Sequence, residues 1–245
     1  MKHKNLISIL LCIIFAFCAV SCKKLPVVID VSQSDERETY KNPETGVVYV
    51  ECSMALMPVK IDEAYCKSES GSVYATVRFQ DPLEFLCDDT RDTGYTSYVY
   101  RASTIPDITM ENFEPIASQV YKEGEVAIFM GQLTAEKQYL DQSIQDLIDT
   151  YSEGESPIPD DSETVYAIRD IMCGEAAEGV FPFDDVVDKD CMLHLRLLSA
   201  TYPGLAYIVV YYRTLDGNDY LYDYGSQKSY ECPLDITLRL WEFLA

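Results

Sequence analysis

Short strands joined by short connections dominate the last third of this 245-residue chain. Apolar and polar residues alternate from Cys191 to Leu197, residues 205–213 are nearly all apolar, and alternation returns at 220–224. A period of two residues is typical of strands that bury one face. Parallel neighbours need crossover connections of about a dozen residues or more, and the connections here are shorter. The sequence therefore predicts an antiparallel meander.

The N-terminal third shows the same alternation, whereas the centre of the chain has a helical period. Residues 47–56, 73–79 and 97–102 alternate as strands do. In 135–152 and 163–173 the apolar residues recur every three or four positions, which predicts two amphipathic helices. Strands, then helices, then strands indicate an α+β fold. We expect antiparallel sheets from the N- and C-terminal thirds and a central helical segment.

Three other segments bear on this fold. Residues 115–122 fit a helix, with Pro115 in its first turn and Gly124 after its last. Residues 125–130 fit either a continuing helix or a strand, and residues 234–241 also fit either.

The first residues predict an exported protein. Lys2 and Lys4 precede the mostly apolar run Leu6–Ala19, and small residues follow it. The run is too short to cross a hydrocarbon layer of about 30 Å comfortably. This pattern is typical of a cleaved signal peptide. A secretory signal without lipid and a retained anchor are the alternatives.

The stretch Ala19-Val20-Ser21-Cys22 resembles the lipobox of bacterial lipoproteins. The resemblance implies cleavage before Cys22 and a diacylglycerol on its thiol, which anchors the domain without a spanning helix. Each buried methylene of the acyl chains contributes about 0.8 kcal/mol to the anchoring. Lys23 stands where enteric lipoproteins retained in the inner membrane have Asp. The resemblance therefore implies the outer membrane, on either its periplasmic or its external side.

These features divide the chain into three segments. Residues 1–21 are the signal peptide, residues 22–46 carry the lipidated cysteine and a tether, and residues 47–245 form a single α+β domain. The tether has room for a short strand at 27–31. The run 156–161, with its two prolines, predicts a surface loop rather than a domain boundary.

The mature chain is strongly acidic. Removal of residues 1–21 leaves 17 Lys and Arg against 41 Asp and Glu, a net charge of −24. Such a chain repels phosphate backbones, and no basic stripe compensates for that, so nucleic-acid binding is not expected. Basic partners and divalent cations are compatible with this charge. A solvated acidic surface that keeps an exported protein soluble is the simpler interpretation.

Six cysteines follow the lipidated one: Cys52, Cys66, Cys87, Cys173, Cys191 and Cys232. Outside the cytoplasm they permit up to three disulfides in any of fifteen arrangements, and we expect at least one. The alternative is that Cys52 and Cys191, in apolar strand-like runs, are small core residues. No pair has the Cys-x-x-Cys spacing and the mature chain has one histidine, so neither a zinc site nor a redox motif is predicted.

A hairpin around Asp216-Gly217 carries six tyrosines between residues 207 and 225. A two-residue turn, which Asp-Gly favours, places Arg213 opposite Tyr220 and Tyr211 opposite Tyr222. These four side chains then share one face, where the rings and the guanidinium can bind a glycan or a peptide. The alternative is that this face belongs to the core. The candidate ligand-binding residues are Tyr211, Arg213, Tyr220 and Tyr222.

Catalytic and metal-binding patterns are weak. His194 lies beside Arg196 on the less apolar face of its strand, but no Gly-x-Ser-x-Gly motif accompanies it. The sequence also lacks the glycine motifs that bind phosphates or dinucleotides. Two acidic clusters lack the spacing of an EF-hand; they are Asp216, Asn218, Asp219 and Asp223, and Asp184, Asp185, Asp188 and Asp190. We therefore predict no catalytic residue, no metal site and no cofactor.

The sequence favours a non-enzymatic, lipid-anchored envelope protein that binds a protein or a glycan. Its contact with the membrane is the lipid on Cys22. Two alternatives stay open. One is a carboxylate-dependent hydrolase of envelope polysaccharide, with one carboxyl protonated and another ionised. The other is a structural component of an envelope assembly.

Overall fold

The computed structural model of the chain describes residues 24–33, 37–90, 97–122, 125–131, 162–179, 181–182 and 187–241. Within them the protein is mostly β, with a closed seven-stranded barrel, an antiparallel sheet and a few short helices. No helix in this part of the chain is long and apolar enough to span a membrane. Several predicted features lie outside the described residues: the signal peptide, Cys22, the helix at 135–152, the loop at 156–161, and Asp184 and Asp185.

The barrel is built from short strands in the N-terminal part of the chain. They are β1 (Val27–Asp30), β2 (Thr39–Lys41), β3 (Val48–Glu51), β5 (Ile61–Ser68), β6 (Val73–Val77), β7 (Phe85–Asp88) and β8 (Val99–Ala102), while β4 (Leu56–Pro58) leaves the barrel. The order around the barrel is β1-β2-β3-β8-β7-β6-β5. Neighbours are antiparallel except β1 and β5, whose parallel pairing closes the barrel.

The barrel includes residues that precede the predicted start of the folded domain at residue 47. The short strand expected at 27–31 is confirmed as β1. Within the predicted tether, 22–46, residues 27–30 and 39–41 are the hydrogen-bonded barrel strands β1 and β2, so the barrel begins before residue 47. The sequence shows no sign of β2, because its three residues are too few to show a clear period.

One side chain from each strand helps to fill the barrel, as is usual in barrels of this size. These residues are Val28, Tyr40, Tyr49, Cys66, Tyr74, Leu86 and Tyr100. The rings of Tyr40, Tyr74 and Tyr100 lie 5.1–5.7 Å apart between centroids, in tilted and edge-to-face contacts. Tyr49 and Tyr74, which alternation placed on the less apolar side of their strands, are therefore buried inside the barrel.

The sheet comes from the rest of the chain. Its strands are β9 (Pro115–Lys122), β10 (Glu125–Gly131), β11 (Val187–Ser199), β12 (Leu205–Thr214), β13 (Asp219–Asp223) and β14 (Lys228–Glu231), in the order β10-β9-β11-β12-β13-β14. β4 pairs with the start of β12. All of these pairs are antiparallel, so the predicted C-terminal meander is confirmed.

The helix predicted at 115–122 is wrong, because this segment is strand β9. Six of its eight residues are buried, so both faces are covered and the period of two disappears. Pro115 is its first residue, a position that proline tolerates in a strand. The neighbouring segment 125–130, which the sequence left open, belongs to strand β10.

In the described residues three short helices accompany the strands: α1 (Met110–Phe113), α2 (Ser162–Met172) and α3 (Leu234–Trp241). α2 confirms the helix expected at 163–173, with Val165, Ile168 and Met172 buried along one side. Residues 234–241, which fit either a helix or a strand in the sequence, form helix α3.

One face of the sheet packs against the outer wall of the barrel. The resulting cluster, which we call the shared core, includes Ala75, Val77, Phe85, Cys87 and Val99 from the barrel, Leu193, Leu195, Leu197, Val209 and Tyr211 from the sheet, and Val165, Ile168 and Met172 from α2. The barrel and the sheet therefore bury much of their apolar surface in one place.

The expected disulfide is wrong, because all six cysteines after Cys22 are free. Cys52, Cys66, Cys87 and Cys232 are buried, and Cys191 is half-buried. Burial raises the pKa of the Cys66 thiol to about 12, so this thiol stays protonated at neutral pH. The alternative interpretation, cysteine as a small core residue, holds for Cys52.

Candidate functional site

A cleft of about 810 Å³ lies where the loops of the barrel meet the sheet face that points away from the shared core. We call it the sheet cleft. Its lining consists of Met54, Leu56, Met57, Thr90, Ser97, Tyr98, Tyr121, His194, Arg196, Ile208 and Tyr224. The cleft is large enough for a drug-sized molecule, since ligand pockets typically measure about 300–1,000 Å³.

Strands β9, β11 and β12 form the floor of the cleft. His194 and Arg196 point to this side because the leucines between and beside them belong to the shared core. Antiparallel pairing sets Tyr121 next to His194, and Ile208 next to Arg196. The prediction that His194 and Arg196 share the less apolar face of their strand is confirmed.

Arg196 is held against the ring of Tyr121. The guanidinium carbon lies 4.2 Å from the ring centroid, within the range of a cation–π contact. Nη1 of Arg196 donates a hydrogen bond of 3.2 Å to Oη of Tyr121, whose hydroxyl donates to Oε1 of Gln119 at 3.1 Å. Gln119 is fully buried, and its Nε2 has no hydrogen-bond partner among the described residues. The chain of contacts fixes the guanidinium on the cleft floor.

The walls of the cleft are apolar and aromatic. Met54 is 58% exposed and Tyr98 is 44% exposed at the rim, although both are large apolar side chains. Met57 and Ile208 are half-buried deeper in the lining. Rings offer flat stacking surfaces, and methionine adapts its shape to irregular ligands. The walls therefore suit an apolar or planar group.

The lining of the cleft contains no carboxylate among the described residues, although the chain has 41 Asp and Glu. His194 is exposed to solvent but sits in a concave surface. Partial desolvation, and then the charge of Arg196, lower the pKa of its imidazole. His194 is thus neutral at pH 7, and Arg196 is the charged group among the described residues of the lining.

The hairpin pairing from which the ligand-binding patch was predicted is wrong, because the observed pairing is shifted by one residue. Thr214 and Asn218 close a three-residue loop, with Gly217 at φ +91°. Tyr211 therefore pairs with Leu221 instead of Tyr222, and Arg213 pairs with Asp219 instead of Tyr220. A shift of one residue moves side chains to the opposite face.

The four candidate residues of the hairpin are consequently separated. Tyr211 lies in the shared core, while Tyr220 and Tyr222 pack on the opposite face of the sheet. All three rings are buried. The guanidinium of Arg213 forms two hydrogen bonds of 2.8 Å with Asp219 and stacks on a tryptophan ring, Trp241, at 4.3 Å. These residues stabilise the hairpin.

A second concave region, the barrel mouth, is acidic. It contains the carboxylates of Glu38, Glu51, Asp88 and Asp89 above the tyrosines that fill the barrel. Glu38 accepts hydrogen bonds of 3.0 Å from the hydroxyls of both Tyr40 and Tyr100. These are the carboxylates that the alternative hydrolase would have to use in this region, and that activity remains a prediction.

Asp88 in the barrel mouth is expected to make stability depend on pH. Burial, and then the charge of Glu38, raise the pKa of its carboxyl to about 6, against about 3.9 in an unfolded chain. The folded protein thus holds this proton more tightly, so its contribution to stability is present at low pH and is lost as pH rises from about 4 to 6.

We expect Asp88→Asn to raise the free energy of unfolding by about 1 kcal/mol at pH 7, after allowance for solvent screening. The gain should disappear near pH 4, where the wild-type carboxyl is protonated. Urea denaturation of both proteins at the two pH values measures it. An equal effect at both pH values would contradict the pKa shift.

Sequence reasoning missed most of the cleft residues, and the reasons differ. Tyr121 was assigned to a helix, so its pairing with His194 was invisible. Tyr98 lies just before strand β8, in the predicted strand 97–102, and alternation gave no sign of the surface it faces. Met54 lies in the segment 47–56, whose alternation gave no sign that this side chain is exposed at the rim.

The described residues contain no group of three or more His, Cys, Asp or Glu side chains placed to hold a metal ion. No protein-family model matches the chain, and neither a curated protein nor a solved structure is detectably similar to it. The geometry of the sheet cleft is therefore the main guide to function.

Proposed function

We propose that this protein is a lipid-anchored, non-enzymatic binding protein of the bacterial cell envelope, and that the sheet cleft holds its ligand. The anchor is the lipid on Cys22 that the lipobox residues imply, and it keeps the acidic domain at the outer membrane.

The observation that carries the proposal is the composition of the cleft. Apolar walls, tyrosine rings and one fixed guanidinium converge on a concavity of about 810 Å³. A concave, mainly apolar site with few polar groups is the usual form of a ligand pocket. Both predicted kinds of partner, proteins and glycans, present groups that stack on tyrosine.

A substitution at the rim tests the proposal. The protein for the test is the mature chain, residues 22–245, with Cys22→Ser, because it keeps every described residue and has no acyl chain that would compete for the probe. The probe is N-phenyl-1-naphthylamine, a neutral aromatic compound whose fluorescence increases in apolar surroundings.

We expect Met54→Asp to weaken binding of this probe by about tenfold or more, because an ionised carboxylate at the wall must be desolvated when the probe enters. The matched control is Leu215→Asp, since Leu215 is 71% exposed and lies outside the lining. Its affinity for the probe should equal that of the unsubstituted domain. Equal affinities of both variants, or no binding at all, would refute the proposal.

A further inference from the structure

We infer that the sheet cleft selects an amphipathic carboxylate, a small molecule with one anionic head and an apolar body. This inference rests on the proposed function, because it assigns a ligand class to the same cleft. The anionic head contacts Arg196, and the body lies between the rings and the methionines.

The first argument is the distribution of charge. The whole chain has a net charge of −22, so its surface repels anions at long range. Salt screens such repulsion beyond about 8 Å at physiological ionic strength, and the groups inside the cleft then decide which head is accepted. The described lining contains a guanidinium and no carboxylate, which is complementary to an anion.

The second argument is the unused bonding capacity of Arg196. Four other arginines, Arg37, Arg78, Arg101 and Arg213, each form an ion pair with an aspartate. Arg196 has no ion pair among the described residues, and its hydrogen bond there is the one from Nη1 to Tyr121. A guanidinium has five N–H donors and binds a carboxylate through two parallel hydrogen bonds.

The groups next to Arg196 favour this use. Contact with the ring of Tyr121 holds the guanidinium in place, so less freedom is lost when a carboxylate binds. Gln119, the cross-strand partner of Arg196, has a buried Nε2 that finds no acceptor in the described part of the chain. His194 is neutral at pH 7, because its pKa is lowered, and it can donate one N–H.

The third argument concerns the body of the ligand. Met54, Met57 and Ile208 provide aliphatic contacts, and Tyr98 provides a ring at the rim. These side chains offer few hydrogen bonds to a sugar, whose hydroxyls would lose water on entry. An acyl chain or an aromatic ring has no such hydrogen bonds to water to lose when it enters the cleft. The lining thus favours an apolar body over a glycan.

The test compares three compounds that have the same ten-carbon chain and differ in the head group. Decanoate, decanol and decyltrimethylammonium are titrated into the mature Cys22→Ser chain by calorimetry at pH 7.4, below their micelle concentrations. We expect decanoate to bind about tenfold or more tighter than decanol, and decyltrimethylammonium to bind most weakly. The inference is overturned if decanol or decyltrimethylammonium binds more tightly than decanoate, or if all three compounds bind with equal affinity.

Arg196→Met identifies the residue responsible, because methionine keeps an apolar stem and removes the charge. The affinity for decanoate should fall about tenfold or more to that for decanol, while the affinity for decanol stays the same and shows that the cleft is intact. The matched control, Arg78→Met, removes a surface arginine of the barrel and should leave both affinities unchanged. An unchanged affinity of Arg196→Met for decanoate overturns the inference.

The outcomes separate the two proposals. Binding of N-phenyl-1-naphthylamine in the cleft without a preference for decanoate keeps the proposed function and rejects the carboxylate. A glycan or a peptide that competes with the probe while decanoate does not would also reject it. Failure of the probe and of all three ten-carbon compounds to bind would reject both.

Discussion

Tyr211→Ala is expected to lower the free energy of unfolding by about 3–5 kcal/mol, as truncation of large buried rings does. Tyr211 has no exposed surface and lies in the shared core, where the sheet packs against the barrel and α2. Its removal leaves a cavity in a region where three parts of the fold meet. Urea denaturation followed by circular dichroism measures the loss.

Tyr211→Phe separates the ring from the hydroxyl. The hydroxyl donates a hydrogen bond of 2.6 Å to Oδ1 of Asp219, which also accepts from Arg213. Asp219 therefore keeps a partner in the variant, and we expect a loss of about 1 kcal/mol. Losses near zero for both variants would show that Tyr211 is an exposed binding residue after all.

Gly204→Ala is expected to be the second severe change, with a loss of about 3 kcal/mol or more in the free energy of unfolding. Gly204 has φ +80°, and a Cβ there would overlap the carbonyl oxygen of Arg78 in the barrel. The backbone of Gly204 also accepts a hydrogen bond of 2.8 Å from Val59. The barrel and the loop between β11 and β12 must therefore move apart.

Gly71→Ala is the matched control for this variant. Gly71 has φ +99°, but its Cβ position has no atom within 4 Å. Its substitution should cost only the backbone strain, about 1–2 kcal/mol. Denaturation of the two variants in parallel isolates the effect of the contact with Arg78. Equal losses would mean that the loop and the barrel are not in close contact.

The parts of the fold that sequence predicts well are those in which one face alone is buried. The leucines of β11 and the stripe of α2 show clear periods because solvent or a less apolar face lies opposite. β9 has no such period, because it is covered on both sides. Pro115 and Gly124 are residues typical of the start and the end of a helix. The local sequence therefore favoured a helix at 115–122, and this prediction was wrong.

The register of the hairpin was predicted wrongly for a different reason. Asp-Gly favours a two-residue turn, but a glycine with positive φ also suits a three-residue loop with a bulge. The structure has the longer loop, with Gly217 in the left-handed region. Packing decides between the two, since the observed register sends Tyr211 into the shared core. The residues of the turn alone therefore do not determine the register.

The cleft could be predicted only in part. His194 and Arg196 lie two residues apart on one strand, so alternation alone places them together. Tyr98 and Tyr121 reach the same cleft from the barrel and from β9, and no sequence period relates them to β11. Bringing them together requires the barrel, whose short strands have too few residues to show their closure.

Ligand binding in the sheet cleft is the property on which the proposed function depends most. The methyl groups of methionine report this directly, since Met54 and Met57 line the cleft while Met110 and Met172 lie in the shared core. We would titrate the mature Cys22→Ser chain, labelled with ¹³C at its methionine methyls, with N-phenyl-1-naphthylamine and record their NMR signals. We expect saturable shifts for Met54 and Met57 and none for Met110 and Met172. Shifts confined to Met110 and Met172, or no shift at saturating probe, would contradict the proposed function.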